Sequence, residues 1–339
     1  MCLCGTLCGQ LRTQHTHDQN RNNWCRSKRN GKRKKIALDA RCSISAVADP
    51  VESAGRKFAE TYPDVKVFTE IAPMLEEVDG VIISSPNWLH PEQAIQCAEA
   101  GKHVWIEKPM ALTVADGEKM AAAINKAGVA SMVGFSVRFE KTAQGIKRRF
   151  QAGDLGEWFS GASRRNCTLK SMDKGWRTDF TRSGGVMSEL IIHELDWATD
   201  LFGFPKSIFC RKRASDRSAS AHPKDNDHVW ISLNYYDDRT VTIEGSQIAP
   251  IADYYKTVVG TEGSLHTRRW GQELYYQKKG EKDVLVENLE GMNKHSHWLD
   301  VIEGKCASVA DVNYGLKITK LIDSALESAV SGLPVDLDL

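Results

Sequence analysis

Three residues of one predicted helix have the types and spacing for proton transfer. In SGGVMSELIIHELDWATDLFG, residues 183 to 203, Glu189 and His193 stand four apart and Asp196 three further on, so all three can share a helical face. A histidine titrates near neutrality and can accept a hydroxyl proton while a neighbouring carboxylate orients the ring. The same pattern also makes an ordinary surface ion pair. A metal site would need further converging ligands, and none is identifiable, so no metal is expected. Apolar Val186, Met187, Leu190, Ile191, Leu195, Ala198 and Leu201 cover much of the rest of the helix and predict a buried face.

A second group stands in WIEKPM, residues 105 to 110, where Glu107, Lys108 and Pro109 follow an apolar strand. Ligands of an open α/β sheet bind beyond the carboxyl ends of its strands, which is where Lys108 emerges. A cation there can hold a substrate hydroxyl and stabilise the alkoxide character that arises as hydride leaves; the alternative is a solvated lysine. Two further strand ends carry polar groups of the right kind. Asp49 closes SISAVAD, where a carboxylate can accept the ribose hydroxyls of NAD and repel the extra phosphate of NADP, although Asp before Pro is also a turn former. Ser84, Ser85, Pro86, Asn87 and, one helical turn on, His90 follow the strand at 81 to 83, in a pattern that suits either a close cofactor contact or a simple turn.

These groups need a scaffold, and from residue 36 the chain supplies one by alternating β-branched runs with helical patterns, as βαβ units around a parallel sheet require. Residues 51 to 61 predict a helix, VKVF and VDGVIISSP strands, LHPEQAIQCAEAG a helix closed by Gly101, KHVWIEKPM a strand, and VADGEKMAAAINKAG another helix ending in glycine. ASMVGFS, VWISLNYY, RTVTIEGS, YYKTVVG and SLHTRR then read as strands of a mostly antiparallel sheet. Residues 211 to 227, RKRASDRSASAHPKDND, predict a mobile loop.

Composition excludes several function classes. The 339 residues suit about two domains, and no apolar run approaches a membrane span or a secretory signal, so a cytoplasmic protein with no membrane partner is expected. Residues 1 to 35 hold nine Lys and Arg against one acid, Asp18, which leaves 36 basic and 43 acidic residues in the rest. That acidic remainder argues against nucleic acid as a partner. Nine cysteines form no disulfide framework, those from Cys42 onward being widely scattered, and fit reduced thiols; Cys2, Cys4, Cys8, Cys25, His15 and His17 match no paired zinc spacing.

Taken together, SSPNWLH, EKP, SGG with Glu189, His193 and Asp196, GTEGSL at 260 to 265 and the HWLDVIEGK ending resemble the glucose-fructose oxidoreductase, inositol dehydrogenase and rhizopine catabolism family, called Gfo/Idh/MocA. The resemblance covers about residues 36 to 337. It implies a Rossmann-type parallel sheet domain followed by an α/β domain with a large open, mostly antiparallel sheet, the first over residues 30 to 128 and the second, for substrate binding and oligomerisation, over 129 to 339. It implies an NAD(P)-dependent oxidoreductase acting on a secondary hydroxyl of a sugar, cyclitol or polyol, assembled as a homodimer or homotetramer. The family's lysine maps onto Lys108 and its catalytic histidine onto His193. The acidic position four residues before the histidine, normally aspartate, is Glu189, and the usual glycine two before it is Ile191. Arg138 in GFSVRFE, and Trp176 with Arg177 in KGWRTDF, occupy stretches that resemble the family's pocket lining, as does Asp196; such residues equally serve as packing or interface anchors. A non-catalytic, dinucleotide-sensing protein on the same fold is the second reading, and retention of Lys108 with His193 favours the enzyme.

The family opens with a strand and a GxGxxG loop, and RNNWCRSKRNGKRKK at 21 to 35 contains neither. Read one base out of frame, Trp24 followed by Cys25 must give glycine, and Arg26 and Arg29 give glycine if their codons end in G. Glycines at 24, 26 and 29 spell the fingerprint, with the third twenty residues before Asp49, the separation the motif requires. His17 before Asp18 can give a start codon. Residues 1 to 29 are therefore expected to be an out-of-frame reading of the first strand and phosphate loop; a genuine basic tail is the rival.

Overall fold

The computed structural model describes residues 6–11, 39–62, 64–168, 175–214 and 222–339, with backbone alone at 6–11 and 168. The chain forms two compact units that interleave along the sequence. The first comprises residues up to Glu107, Lys119–Gly134 and Asn293–Val312; the second comprises Lys108–Glu118, Phe135–Met292 and Asn313–Leu339.

The first unit is built on a six-stranded sheet in the order β3-β2-β1-β4-β5-β6: β1 Thr6–Leu11, β2 Cys42–Ala48, β3 Lys66–Phe68, β4 Gly80–Ile83, β5 His103–Ile106 and β6 Ser131–Val133. Strands β2 with β3, β4 with β5 and β5 with β6 pair in parallel. Helices α1 Glu52–Ala59, α2 Ile71–Leu75, α3 His90–Glu99 and α4 Val114–Ala127 lie between them in sequence, and β4, β5 and β6 are short, largely buried runs because both sheet faces are covered there, whereas β3 at the edge is not buried. Val47, Val81, Ile83, Val104, Trp105 and Met132 are buried, together with Cys97 of α3, Ile124 of α4 and Trp298 of a later helix, α8 (Lys294–Ile302). Gly101 and Gly128 sit at φ +73° and +67° just beyond α3 and α4, the left-handed closure that favours glycine.

Strand β1 departs from that order. It runs antiparallel to both β2 and β4, with Thr6 opposite Ala48 and Leu11 opposite Cys42. The facing edges of β2 and β4 expose rows of N–H and C=O groups, and any extended segment that fills the gap satisfies them, whichever way it runs.

The second unit carries a nine-stranded sheet in the order β14-β13-β12-β11-β7-β10-β9-β8-β15. Its strands are β7 Trp158–Thr168, β8 Ser207–Arg213, β9 His228–Asn234, β10 Thr240–Ser246, β11 Ile248–Gly260, β12 Gly263–Arg268, β13 Glu273–Lys278, β14 Val284–Leu285 and β15 Val335–Asp336. Every pairing is antiparallel except β7 with β10. Helices α5 Lys141–Gln151, α6 Phe180–Ser183, α7 Ile192–Phe202 and α9 Val312–Ser331 complete the unit. Val229, Ile231 and Leu233 of β9 are buried while Trp230 between them is 46% exposed, the alternation of a sheet covered on one face.

Two expectations are corrected here, and one strand is added that the sequence did not announce. ASMVGFS supplies β6 of the parallel sheet, because its run Ser131–Val133 is buried throughout and pairs with β5. WFSGASRRNCT, which lacks apolar alternation, forms the long central strand β7. Of the segment 211 to 227, residues 215–221 lie outside the described residues, Arg211–Arg213 ends β8, and Asp225, Asn226 and Asp227 are buried.

Candidate functional site

The first unit brings its polar strand ends to one edge of the parallel sheet. Asp49 follows β2 directly and is buried; its Oδ1 accepts the Val51 N–H at 2.9 Å, and its own N–H donates to Phe68 O at 3.0 Å. It is thus a turn former, and the carboxylate still has a second oxygen with acceptor capacity. Beyond β4, Ser85 Oγ donates to Gln93 Oε1 at 2.5 Å, and His90, 1% exposed, donates from Nε2 to Ser85 O at 2.8 Å. A backbone carbonyl only accepts, so the His90 tautomer is fixed with its proton on Nε2. Ser85 and His90 therefore tie the exit of β4 to the start of α3. Asn87 is buried at the head of the short 3₁₀ turn Asn87–Leu89, after Ser84 and Pro86. Beyond β5, Glu107 Oε1 accepts from Trp105 Nε1 at 3.2 Å, and a Cβ at Gly134 would meet Glu107 Oε2 at 2.8 Å, so glycine is required where β6 ends beside this carboxylate.

These groups fit the flanks of a dinucleotide: a carboxylate at the end of β2 for a ribose, and small polar groups at the ends of β4 and β5. The segment between β1 and β2 in which a phosphate loop would lie, residues 12–38, is outside the described residues. Because β1 runs antiparallel, its carboxyl end at Leu11 lies opposite Cys42, at the sheet edge away from Asp49. A phosphate loop directly following this strand would start at the wrong edge.

The second unit holds the proton-transfer candidates. Asp179 accepts from the Thr181 N–H at 2.9 Å and starts α6, which Gly184 ends at φ +75°. Gly185 follows at φ +68°, and a Cβ there would meet Asn226 Nδ2 at 2.7 Å. The Asn226 carbonyl accepts from the Val186 N–H at 3.1 Å and its Oδ1 from the Met187 N–H at 2.9 Å. The glycine pair therefore lets a buried asparagine grip the incoming helix end. Met187–Ile191 then forms a π-turn, a form that recurs at functional sites, before α7 begins.

On that turn, Glu189 O accepts from Lys108 Nζ at 2.6 Å, and Glu189 Oε2 pairs with Arg177 Nε at 3.3 Å. The Arg177 guanidinium lies over the Trp176 ring, 4.2 Å from its centroid. The structure thus brings together Lys108, Glu189, Arg177 and Trp176, with His193 one turn beyond Glu189 and half-buried. The Lys108–Pro109 bond is cis.

Arg138 and Asp196, expected to face substrate, are paired with each other in the interior. Arg138 is 3% exposed and Asp196 fully buried; Arg138 Nη2 lies 2.5 Å from Asp196 Oδ1, and Nε lies 3.2 Å from both carboxylate oxygens. Asp200 at 3.3 Å and the Tyr314 ring, 4.7 Å from the guanidinium, complete the surround. Burial opposes the Arg138 charge, but Asp196, Tyr314 and Asp200 together hold it above its ordinary range. This arrangement makes them anchors of α7.

Sequence reasoning missed a second buried network under the same helix. Glu194, 0% exposed, accepts from Lys256 Nζ and from Ser163 Oγ at 2.6 Å, and pairs with Arg165 at 3.2 Å. Lys256 also donates to the Tyr254 hydroxyl at 2.9 Å. Burial acts against both charges, yet Lys256 and Arg165 hold the Glu194 carboxyl below its ordinary range, and Glu194 holds the Lys256 ammonium above its own. The one available signal was negative: Ser163 and Arg165 break the apolar alternation of β7 because they face a charge. Ile191 is accommodated in a similar complementary way, since a Cβ at Gly245 of β10 would meet Ile191 Cδ1 at 1.7 Å. The bulk of Ile191 fills a space that a glycine of the facing strand leaves open.

Comparison with known proteins agrees with this architecture. The profile of an oxidoreductase family with an NAD-binding Rossmann fold, Gfo/Idh/MocA, matches residues 4–135, and the profile of the C-terminal domain of the same family matches residues 143–266. The chain belongs to the Gfo/Idh/MocA family, whose cofactor-binding fold is that of NAD. It is 26% identical over 313 residues to scyllo-inositol 2-dehydrogenase (NAD(+)) of Bacillus subtilis, spanning 87% of this chain and 89% of that enzyme. It is 27% identical over 329 residues to D-glucoside 3-dehydrogenase of Escherichia coli, spanning 87% and 90%. Its fold matches aldose-aldose oxidoreductase from Caulobacter crescentus with a TM-score of 0.78 at 23% identity, over 87% of this chain and 92% of that one.

Proposed function

We propose that the protein oxidises a secondary hydroxyl of a sugar, cyclitol or related polyol with NAD. The observation that most supports this is the Lys108 ammonium donating to Glu189 O at 2.6 Å, which ties a cation to the π-turn that precedes His193. Bound NAD supplies the hydride acceptor. As the carbinol carbon loses hydride, its hydroxyl must lose a proton, and His193 takes it, leaving a ketone. Lys108 donates to the substrate oxygen and stabilises its developing negative charge. Glu189, itself held by Arg177, orients the imidazole or a second hydroxyl, while Trp176 offers a flat apolar face to a polyhydroxylated ring. Asp49 would accept a ribose hydroxyl, which favours NAD over NADP. Names of relatives that act on inositol and on glucosides agree with the substrate class.

Residues 1–29 fit this function best as an out-of-frame reading of the first strand and phosphate loop, a proposal that the antiparallel course of β1 supports. The chain as written should then bind NAD more weakly than micromolar, and a chain carrying the shifted frame should bind it at least about tenfold tighter in titration calorimetry, since it regains the loop amides. Coding DNA whose Asn22 to Arg29 codons cannot yield the glycines would end the frame proposal. A panel of polyols and aldoses with NAD and NADP, run on the restored chain, tests the activity. Turnover of none of them, or a clear NADP preference, would overturn the substrate class or the role of Asp49 respectively.

A further inference from the structure

Asn226, 1% exposed, stands between Asp225 and Asp227 in the loop that leads into β9. Both neighbours are tied to strand ends of the large sheet. The Asp225 carbonyl accepts from Lys212 Nζ of β8 at 2.7 Å, the Asp227 N–H donates to Arg213 O at 2.9 Å, and the Asp227 carbonyl accepts from the Gln247 N–H at 3.1 Å. The Asn226 N–H donates to Asp225 Oδ1 at 2.7 Å, and its Nδ2 donates to Lys224 O at 3.0 Å. With a donor committed at one end of the amide, Oδ1 at the other end is left as an acceptor of fixed direction.

That acceptor meets the start of the proton-transfer segment. Gly185, Val186 and Met187 open the helical run, and the first N–H groups of a helix have no partner within it. Ser183 Oγ takes the Gly185 N–H at 3.2 Å; Asn226, 39 positions after Met187, takes the other two, Val186 on its carbonyl and Met187 on Oδ1. Met187 is also where the π-turn begins, with the Ile192 N–H bonding back five residues to Met187 O. Glu189, two residues on, gives its carbonyl to Lys108 Nζ at 2.6 Å. A rigid cap on Met187 therefore sets where the Glu189 carbonyl stands, and that carbonyl sets where the ammonium stands. A lysine ammonium on its flexible four-carbon stem needs such a fixed partner to be held in one place.

We propose that Asn226 is a positioning residue for hydride transfer, acting through the π-turn: by clamping Met187 it keeps Glu189 O where it places Lys108 against the substrate hydroxyl. This rests on the role given to Lys108 in the proposed function. Asn226 itself is buried away from the reacting atoms. Small displacements of a catalytic group lower the rate of the chemical step more than they lower binding, so the role shows in kcat.

The test is a double-mutant cycle in the chain with the glycine loop restored, read as kcat with a polyol that it oxidises. Asn226→Ala removes Oδ1 and keeps the backbone carbonyl for Val186. It should lower kcat about tenfold and leave the KM for NAD within about twofold. In a Lys108→Ala background the same substitution should change kcat by less than about twofold, because the group it positions is gone. A helix cap that contributes stability alone gives equal losses in both backgrounds; that additivity, or a near-normal kcat for Asn226→Ala, overturns the proposal. Amide exchange read by mass spectrometry supplies an arm that needs no turnover. Asn226→Ala should speed exchange over residues 186–193 about fivefold, the scale of a lost cap, and leave β9 unchanged; unchanged exchange over 186–193 also overturns the proposal. If Asn226→Ala does not fold, Asn226→Ser takes its place in both arms. Failure of the underlying reading has its own signature, near-normal turnover of Lys108→Ala or no turnover of any polyol or aldose, and it overturns both; failure of the positioning role alone leaves Lys108→Ala impaired.

Discussion

Two neighbouring residues of α7, His193 and Glu194, point to different sides of one helix and have different fates. His193 is half-buried, one turn beyond the carboxylate that Arg177 holds and the carbonyl that Lys108 holds. Glu194 is fully buried, facing Lys256, Arg165 and Ser163 on the sheet side. Both sides are rich in ionisable groups, so charge alone does not distinguish chemistry from architecture. Exposure differs between them: a half-open imidazole has the access to a substrate oxygen that the proposed role requires, whereas a carboxylate already engaged by two cations and a hydroxyl is placed to fix the helix on its sheet.

Substitutions at the two positions should separate rate from stability. In a chain with the glycine loop restored, His193→Ala should lower kcat by about 10²- to 10⁴-fold while leaving cofactor affinity and the melting temperature nearly unchanged. Steady-state kinetics beside calorimetry checks this, and near-normal turnover would leave Glu189, His193 and Lys108 as an ion-pair set only. Glu194→Ala should do the reverse and cost about 3–5 kcal/mol of stability in urea titration, because it strands the Lys256 ammonium in the interior. The double change Glu194→Met with Lys256→Met sharpens the point: it removes both charges together and should recover much of that loss. If the single and double variants are equally unstable, the network contributes through shape and not through charge pairing.

The same contrast explains what was legible in the sequence. The βαβ run from residue 43, the glycine closures at 101 and 128 and the strand-end residues Asp49, Ser85 and Glu107 all follow local rules of period and turn chemistry, and each is found where those rules put it. His193 and Lys108 stand out in the sequence because their types suit the chemistry that strand ends and helix faces carry, and the roles given to them above remain proposals. Strand β7 was not, since Gly161, Ser163 and Arg165 make sense only once Phe202 and Glu194 of α7 lie over them. Arg138 and Asp196 carried the right types for substrate, but their partnership spans 58 residues and no local pattern announces it. Asn226 is hidden for the same reason: its role is set by a glycine pair some forty residues earlier. Long-range complementarity between charges, or between bulk and void, leaves no period in the sequence.

Bulk and void provide the next smaller effect. Ile191 and Gly245 fit only as a pair, so Gly245→Ala should cost about 1–3 kcal/mol by overpacking the sheet side of the π-turn. Adding Ile191→Ala should relieve part of that cost, giving a non-zero coupling in a double-mutant cycle read by urea denaturation. Strict additivity would show that β10 and the turn adjust independently, which would weaken the view that this side of α7 is rigid.

The smallest effect belongs to an ion cluster of similar composition but at the surface. Arg41 bonds Asp39 at 2.8 Å, Asp300 at 2.7 Å and Glu303 at 2.5 Å, with its side chain 29% exposed, and so joins the start of β2 to α8 within the first unit. The Arg41 hydrogen bonds hold the Asp39 carboxyl well below the usual carboxylate range, against a smaller opposing effect of burial. The folded state thus binds the Asp39 proton more weakly than the unfolded chain does, whose carboxyl titrates near pH 3.9. Its contribution to stability is fully present above that value and is lost as pH falls toward the folded value, where both states are protonated. Asp39→Asn should therefore change the melting temperature little at pH 7, by less than about 1 kcal/mol in stability as expected for a solvent-screened pair, and should flatten the decline of melting temperature below about pH 4. Salt should mask this difference, whereas it should leave the Glu194→Ala effect almost untouched, since interior pairs are screened far less. If 1 M salt reduces the two effects alike, burial is not what separates them, and the distinction drawn between the two sides of α7 loses its physical basis.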